Sequence, residues 1–378
     1  MRIAIAIMSL ELGGGAEHDI VNLSAGLKKA GHEPLVVTSG GRLCKDIEAE
    51  GVPIVRCPVD SRAPVQLWKN GRLLADILEE HRSDVFNPQG VYPGLSGYLA
   101  TRRLKRRGSL VPNIVTIHML ERCTWWYYRL GAFILNRVAD HVIVESQCEQ
   151  DRLQSRGLKR PLTVIPNCFP PGKLAAVAKS REEIRREMGW PDDRIVFIMP
   201  ARMRREKGHD ILLQSIARPE VHGLPVHFYL AGDGPEQAAI EALAVELGIW
   251  DKVAFGGFRH DLPALYKAAD VFLLCSRYES LPLSIREGMG ASLPVLATSV
   301  GGIAEAVEHG ESGLLVPPEN AEALASAIVR LATDATLRDC MGRHGNAICR
   351  DRFDYDHWIV HNVEVMGAVR DQFVKEHA

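Results

Sequence analysis

No two cysteines in this 378-residue chain have the C-x-x-C spacing. The eight present, Cys44, Cys57, Cys123, Cys148, Cys168, Cys275, Cys340 and Cys349, lie mostly inside or beside apolar runs. That argues against a zinc site or a disulfide framework and for buried or incidental thiols. No stretch offers eighteen clean apolar residues, so no membrane-spanning helix is expected. The opening run, Arg2 to Met8, is too short for a signal peptide and predicts a first buried strand instead. The expectation is a cytoplasmic protein, with peripheral contact on the inner membrane face as an open alternative. Charge of one sign is lacking too. Lys and Arg number 45 against 47 Asp and Glu, and a formal net charge of -2 removes the general electrostatic case for nucleic acid. The first glycine turn lacks the G-x-G-x-x-G dinucleotide fingerprint, which argues against a dinucleotide oxidoreductase.

What is present is an ordinary globular composition, 46% hydrophobic and 24% charged, at a length that suits two domains. Strand and helix signals alternate through both halves. In the first half, strands are expected at 2–8, 35–38, 52–55, 84–87, 114–118, 141–144 and 162–165. Helices are expected at 17–29 and 67–80, with another through 133–138. Pro166, Pro170, Pro171 and Gly172 then break the pattern and mark a linker, followed by a charged stretch at 179–187. The alternation restarts at Ile195 and runs to Val316, and Ala321 to Leu331 is a strongly amphipathic helix. Repeated strand–helix–strand order predicts an α/β fold of two doubly wound parallel-sheet domains facing across a ligand cleft. The predicted boundaries are 1–170, 171–353 and a terminal helix over 354–378.

Glycines and charges gather just beyond the predicted strands. Gly13-Gly14-Gly15 sits between a strand and a helix, where a turn brings free amides toward an anion. A plain chain turn is the other reading. Arg202 stands directly beyond the strand that opens the second half, and Lys207 just before the next helix. A planar guanidinium and a compact ammonium at that place suit a diphosphate. Ala231-Gly232-Asp233-Gly234-Pro235 is a tight turn that lets backbone approach a ligand. No second acid is spaced to make Asp233 a metal ligand, so no metal is expected. The segment Ser276 to Glu287 is the sharpest feature. Glu279 falls in a loop, Pro282 fits a helix start, and Glu287 lies inside the helix. The amides from Ser280 to Leu283, Leu281 among them, suit a diphosphate, and a carboxylate can clamp vicinal ribose hydroxyls. Helix capping for Glu279 and an ordinary solvated acid for Glu287 are the plainer readings.

Taken in order, these pieces resemble the retaining glycosyltransferases of family 4, which have the two-domain GT-B fold. The resemblance rests on Gly14-Gly15-Ala16-Glu17, Arg202 with Glu206-Lys207-Gly208, Ala231 to Pro235, Gly257-Phe258 and Tyr266 to Asp270. It continues through the E-x7-E pair Glu279 and Glu287, Thr298 to Gly302, and Gly310 to Val316. It implies transfer of a sugar from a nucleotide-diphosphate sugar, often a UDP-sugar, to a hydroxyl acceptor, with retention and without a tightly bound cofactor. By the same resemblance, the Gly15 amide approaches the donor phosphate, and Arg202 and Lys207 bind the diphosphate. Glu279 lies near the donor-sugar hydroxyls, Glu287 holds the ribose, Phe258 lines the base, and His118 lies near the donor sugar. One departure stands out: Ser292 replaces the glycine usual at that position.

Other features stay open at this level. His118 at a strand end is either a satisfied structural group or a functional one. Trp125-Trp126-Tyr127-Tyr128 packs under a helix or forms an acceptor platform. The basic run from Thr101 to Arg107 is a solvated helix end or a contact for anionic lipid. Two rival functions share the architecture: a sugar-nucleotide 2-epimerase, and a catalytically silent sugar-nucleotide-binding subunit.

Overall fold

The computed structural model describes residues 1–11, 14–59, 63–120 and 124–377. Gly13 and Cys123 therefore lie outside the described residues. The chain divides into two compact units, Met1–Cys168 with Tyr355–Ala378, and Phe169–Asp354.

The first unit runs β1 (Arg2–Ile7), α1 (Gly15–Lys29), β2 (Glu33–Thr38), α2 (Cys44–Ala49), β3 (Ile54–Arg56), α3 (Pro64–Glu80), β4 (Val85–Pro88) and α4 (Val91–Arg106). It continues with β5 (Ile114–Ile117), α5 (Trp125–Val138), β6 (His141–Val144), α6 (Gln147–Ser155) and β7 (Leu162–Val164). The strands order as β3-β2-β1-β4 and β5-β6-β7, and every pairing within them is parallel. Parallel bridges Phe86↔Asn113 and Gln89↔Thr116 join β4 to β5. Ile3, Ala4, Ile5 and Ala6 are all fully buried, as a parallel strand covered on both faces requires.

The second unit runs α7 (Gly172–Ala175), α8 (Arg181–Met188), β8 (Ile195–Pro200), α9 (His209–Ile216), α10 (Pro219–His222), β9 (Val226–Ala231), α11 (Gln237–Glu246) and β10 (Val253–Gly257). It continues with α12 (Leu262–Ala268), β11 (Val271–Leu274), α13 (Leu283–Gly290), β12 (Val295–Thr298), α14 (Ile303–Ala306), β13 (Gly313–Val316), α15 (Ala321–Thr333) and α16 (Ala335–Arg352). Its six parallel strands order as β10-β9-β8-β11-β12-β13. The last helix, α17 (Tyr355–His377), belongs to the first unit, where the Tyr355 hydroxyl donates to the Asn22 carbonyl of α1 at 2.6 Å.

Several helices had no clear sequence signal, and two of the longest show why. In α4 the buried face is Pro93, Gly94, Ser96, Gly97, Ala100, Thr101 and Leu104. In α16 it is Met341, Gly342, Gly345, Ile348 and Cys349. Small residues let these helices pack closely while leaving no apolar stripe to read. The basic run at 101–107 is the last turn of α4 and its cap.

Ser292 follows α13 at φ 60°, in the left-handed region. The Ser292 amide donates to Met289 and the Leu293 amide to Gly288, which is the double closure of a Schellman helix end. A residue with a Cβ costs about 1 kcal/mol there. The turn geometry that glycine favours is therefore retained here with serine.

Candidate active site

In open parallel sheets, ligands bind beyond the carboxyl ends of the strands where the winding direction reverses. In the second unit that point lies between β8 and β11. Arg202 and Lys207 follow β8, and the segment from Ser276 to Leu283 follows β11. Gly234 follows β9, Phe258 follows β10, and Thr298 to Gly302 closes β12. The sequence-predicted residues of this unit thus share one edge of one sheet.

Backbone contacts weld these loops together. Gly234, at φ 158°, lies so close to the loop after β8 that a Cβ there would meet the Met203 carbonyl oxygen at 2.4 Å. Gly301, at φ 58°, approaches the loop after β11 so closely that a Cβ would meet the Glu279 carbonyl oxygen at 2.0 Å. The Gly302 amide donates to Ser280 at 2.6 Å, and the Thr298 hydroxyl to the Ser276 carbonyl at 2.5 Å. Neither glycine tolerates a side chain without the loops moving apart.

Lys207 and Glu279, read separately from sequence, form one pair. The Lys207 Nζ lies 2.6 Å from Glu279 Oε1, which also accepts from the Ser276 hydroxyl at 2.6 Å. Glu279 is buried. Arg202 is half-buried and, among the described residues, makes no side-chain hydrogen bond or ion pair. Its neighbour Arg204 lies 3.6 Å from Glu206. Glu287 accepts the Tyr266 hydroxyl at 2.6 Å on Oε2, and its Oε1 makes no hydrogen bond among the described residues. Burial raises the Glu287 carboxyl above its ordinary pKa, opposed by the Tyr266 hydrogen bond and the charges of Lys173 and Arg286. Leu283 opens α13 with Pro282 as its cap, so the first amides of that helix have no intrahelical partner. Sequence reading missed Arg286, which is fully buried and donates to the Leu281 carbonyl at 2.9 Å, tying α13 to its preceding loop.

In the first unit the reversal lies between β1 and β4. Gly14 caps α1 and Gly15 begins it. His118 follows β5. Its Nδ1 lies 2.5 Å from Glu145 Oε1 and 4.0 Å from Asp19 Oδ2, and its Nε2 lies 2.8 Å from Gln89 Oε1. Burial alone would lower the His118 pKa, but Glu145 and Asp19 outweigh it and raise it to about 8. Asp19, His118 and Glu145 each bring a potential metal-ligand atom within 4.8 Å of the others, as do Glu308, Glu311 and His344. In the first group Nδ1 is already engaged by Glu145, so the cluster reads as a charged hydrogen-bond network. Asp19, Gln89 and Glu145 carried no sequence signal.

The aromatic run splits at the start of α5. Tyr128 is buried and donates to Glu149 at 2.9 Å, whereas Trp125 and Trp126 are exposed.

Two Rossmann-like units, each with charged and glycine-rich loops at the carboxyl edge of a parallel sheet, define the GT-B class. Comparison with known proteins carries this to the family. The model for Glycosyl transferases group 1 matches residues 180–347, and that for Glycosyltransferase Family 4 matches residues 13–173. The chain belongs to these glycosyltransferases: it is an enzyme that transfers a sugar from a nucleotide-diphosphate sugar to an acceptor. It is 27% identical over 334 residues to the lipopolysaccharide core biosynthesis glycosyltransferase LpsE of Rhizobium meliloti, covering 88% of this chain and 90% of that protein. It is similar in fold to HepE of Anabaena, solved in complex with UDP-glucose, at TM-score 0.85 and 24% identity, covering 97% of this chain and 100% of that one. A glycosyltransferase of Rickettsia africae gives TM-score 0.83 at 21% identity, covering 97% and 98%.

Proposed function

We propose that the donor is a UDP-sugar, that transfer retains the anomeric configuration, and that the acceptor is a hydroxyl of a glycan, glycolipid or small molecule. Bond cleavage builds negative charge on the leaving diphosphate, so fixed cations and amides that meet this charge lower the barrier. In the second unit, Arg202, Lys207 and the amides from Ser280 to Leu283 take that role, with Gly234 giving the backbone its close approach. Glu279 contacts the donor-sugar hydroxyls, Glu287 accepts the ribose hydroxyls through its open oxygen, and Phe258 lines the base. In the first unit, the amides at Gly14 and Gly15 meet the donor phosphate, and His118 serves the donor sugar. The acceptor oxygen bonds the anomeric carbon on the face the diphosphate leaves. The electrons of the broken C–O bond go to the diphosphate oxygen, which takes the acceptor's proton. HepE, solved with UDP-glucose, supports a uridine donor by analogy. An epimerase or a silent subunit is not favoured, since both family models describe transferases.

One observation carries this reading: a half-buried guanidinium, unpaired among the described residues, at the point where the second sheet reverses. Calorimetric titration tests it. Arg202→Ala is expected to weaken UDP binding roughly 10–100-fold, the worth of hydrogen bonds to a charged group, while leaving uridine binding unchanged. Equal loss for both ligands, or no uptake of UDP by the wild type, would end the assignment.

We also propose a cytoplasmic location with peripheral contact to anionic membrane through 101–107. Among the described residues, no helix is long and apolar enough to cross a membrane. Arg102, Lys105 and Arg106 are exposed on α4, while Arg107 is engaged by Asp76 and Glu79. The helices packed on either side of α4 expose Trp68 on α3 and Trp125, Trp126 and Phe133 on α5. Basic and aromatic side chains together suit an anionic interface. Sedimentation with phosphatidylglycerol vesicles is expected to fall several-fold in an R102E/K105E/R106E variant and in high salt. Equal uptake by neutral vesicles would overturn the proposal.

A further inference from the structure

The protons on His118 can be counted from its surroundings. The Ile114 carbonyl can only accept, so the Asn87 nitrogen that lies 2.7 Å from it donates. That leaves the Asn87 side-chain oxygen as acceptor for the Gln89 nitrogen at 2.6 Å. Gln89 must then present its own oxygen to His118 Nε2 at 2.8 Å, so Nε2 carries a proton. On the other side, Nδ1 faces the Glu145 carboxylate at 2.5 Å, so Nδ1 carries one too. Glu145 is held in turn by the Asn167 nitrogen at 2.8 Å on the same oxygen. Asn87, Gln89, Glu145 and Asn167 are all buried, which fixes the order of donors and acceptors along the chain.

We propose that Glu145, together with the Asn87–Gln89 amide chain, keeps His118 doubly protonated, so that His118 enters the transfer as a fixed cation, with both ring N–H groups held by the protein, and not as a base. Glu145 is a positioning residue here, acting through His118. The inference rests on the proposed donor-sugar role of His118. Among the described residues, the charged groups facing the imidazole are Glu145 from the end of β6 and Asp19 from α1. Behind them, Glu149 on α6 faces Glu145 and is balanced in part by Arg152. Gln89 and Asn167 are neutral. With the carboxylates present, the imidazole gives up its proton at about pH 8. Without Glu145, burial opposes the charge and, among the described residues, only Asp19, at the longer distance of 4.0 Å, supports it.

The test has a spectroscopic arm and a kinetic arm, both on the full chain. Histidine-selective 15N NMR, with His118→Asn assigning the resonance, is expected to show both ring nitrogens protonated at pH 7. Glu145→Gln is expected to move the midpoint down by at least one pH unit, a tenfold loss of proton affinity, and Glu145→Asp to restore part of it. In the kinetic arm, hydrolysis of UDP-glucose without acceptor should decline in the wild type as pH rises through about 8. In Glu145→Gln the decline should shift to lower pH by the same amount as the NMR midpoint. A neutral His118 at pH 7 in the wild type, or a midpoint that Glu145→Gln leaves in place, overturns the proposal. An NMR shift without a matching kinetic shift overturns the part that takes His118 into the reaction. Absence of turnover with any nucleotide sugar condemns the donor reading instead, and NMR still judges the proton count. Should Glu145→Gln not fold, Glu145→Asp supplies the comparison in both arms.

Discussion

Replacing Lys207 with alanine is expected to lower turnover about 10²–10³-fold, the loss typical of one preorganised donor aimed at developing negative charge. The same substitution should lower the stability of the second unit by about 3–5 kcal/mol. It removes one partner of a pair whose Glu279 carboxylate is buried, and an uncompensated buried charge is costly. The two effects separate in a double variant. Lys207→Met with Glu279→Gln removes both charges and keeps the Ser276 hydroxyl hydrogen-bonded, so stability should largely return while turnover stays low. Urea unfolding and donor turnover, measured on the same preparations, check both halves. Turnover near wild type in Lys207→Ala would remove the ammonium from the chemistry. Recovered turnover in the double variant would reduce Lys207 to a structural partner of Glu279.

That pair also shows where sequence reading reached and where it stopped. Arg202, Gly234, Phe258 and the segment 279–287 each follow a strand, and strands are legible from their apolar runs. Parallel topology then brings their ends to one edge without further information. Side-chain pairing is a different matter. Lys207 and Glu279 are 72 positions apart, and His118 and Glu145 are 27 apart. No local pattern announces such partners, because the spacing is set by the crossover between strands and not by the chemistry. Asp19 and Gln89 were illegible for the same reason. The helices α4 and α16 escaped because both bury glycines, with Ala100 beside them in α4, where a stripe of leucine would have declared them. Ser292 was visible as a departure, but only its φ shows that serine sits in the conformation glycine favours.

The charged stretch at 179–187, which sequence reading left as a bare run, has a definite task at the opposite edge of the second sheet. Asp270 stands just before β11. It accepts Arg181 at 2.5 Å, Arg185 at 2.7 Å and the Val196 amide of β8 at 2.8 Å. Arg185 is buried, and also donates to the Ala268 and Arg194 carbonyls. One carboxylate therefore clamps α8 to the amino ends of the two strands that flank the reversal. Asp270→Ala strands the Arg185 guanidinium without its counter-charge and leaves the Val196 amide without that acceptor. The expected cost is about 3–5 kcal/mol, which for a unit of this size lowers its unfolding midpoint by roughly 10 °C. Asp270→Asn, which keeps one acceptor oxygen but no charge, should fall between. In a parallel sheet the amino edge carries packing and the carboxyl edge carries the ligand. The folded fraction of Asp270→Ala should accordingly turn over donor at the wild-type rate, the reverse of what Lys207→Ala does. An unchanged midpoint in thermal unfolding would refute the clamp. A folded but inactive Asp270→Ala would show that the two edges of this sheet are coupled and not independent.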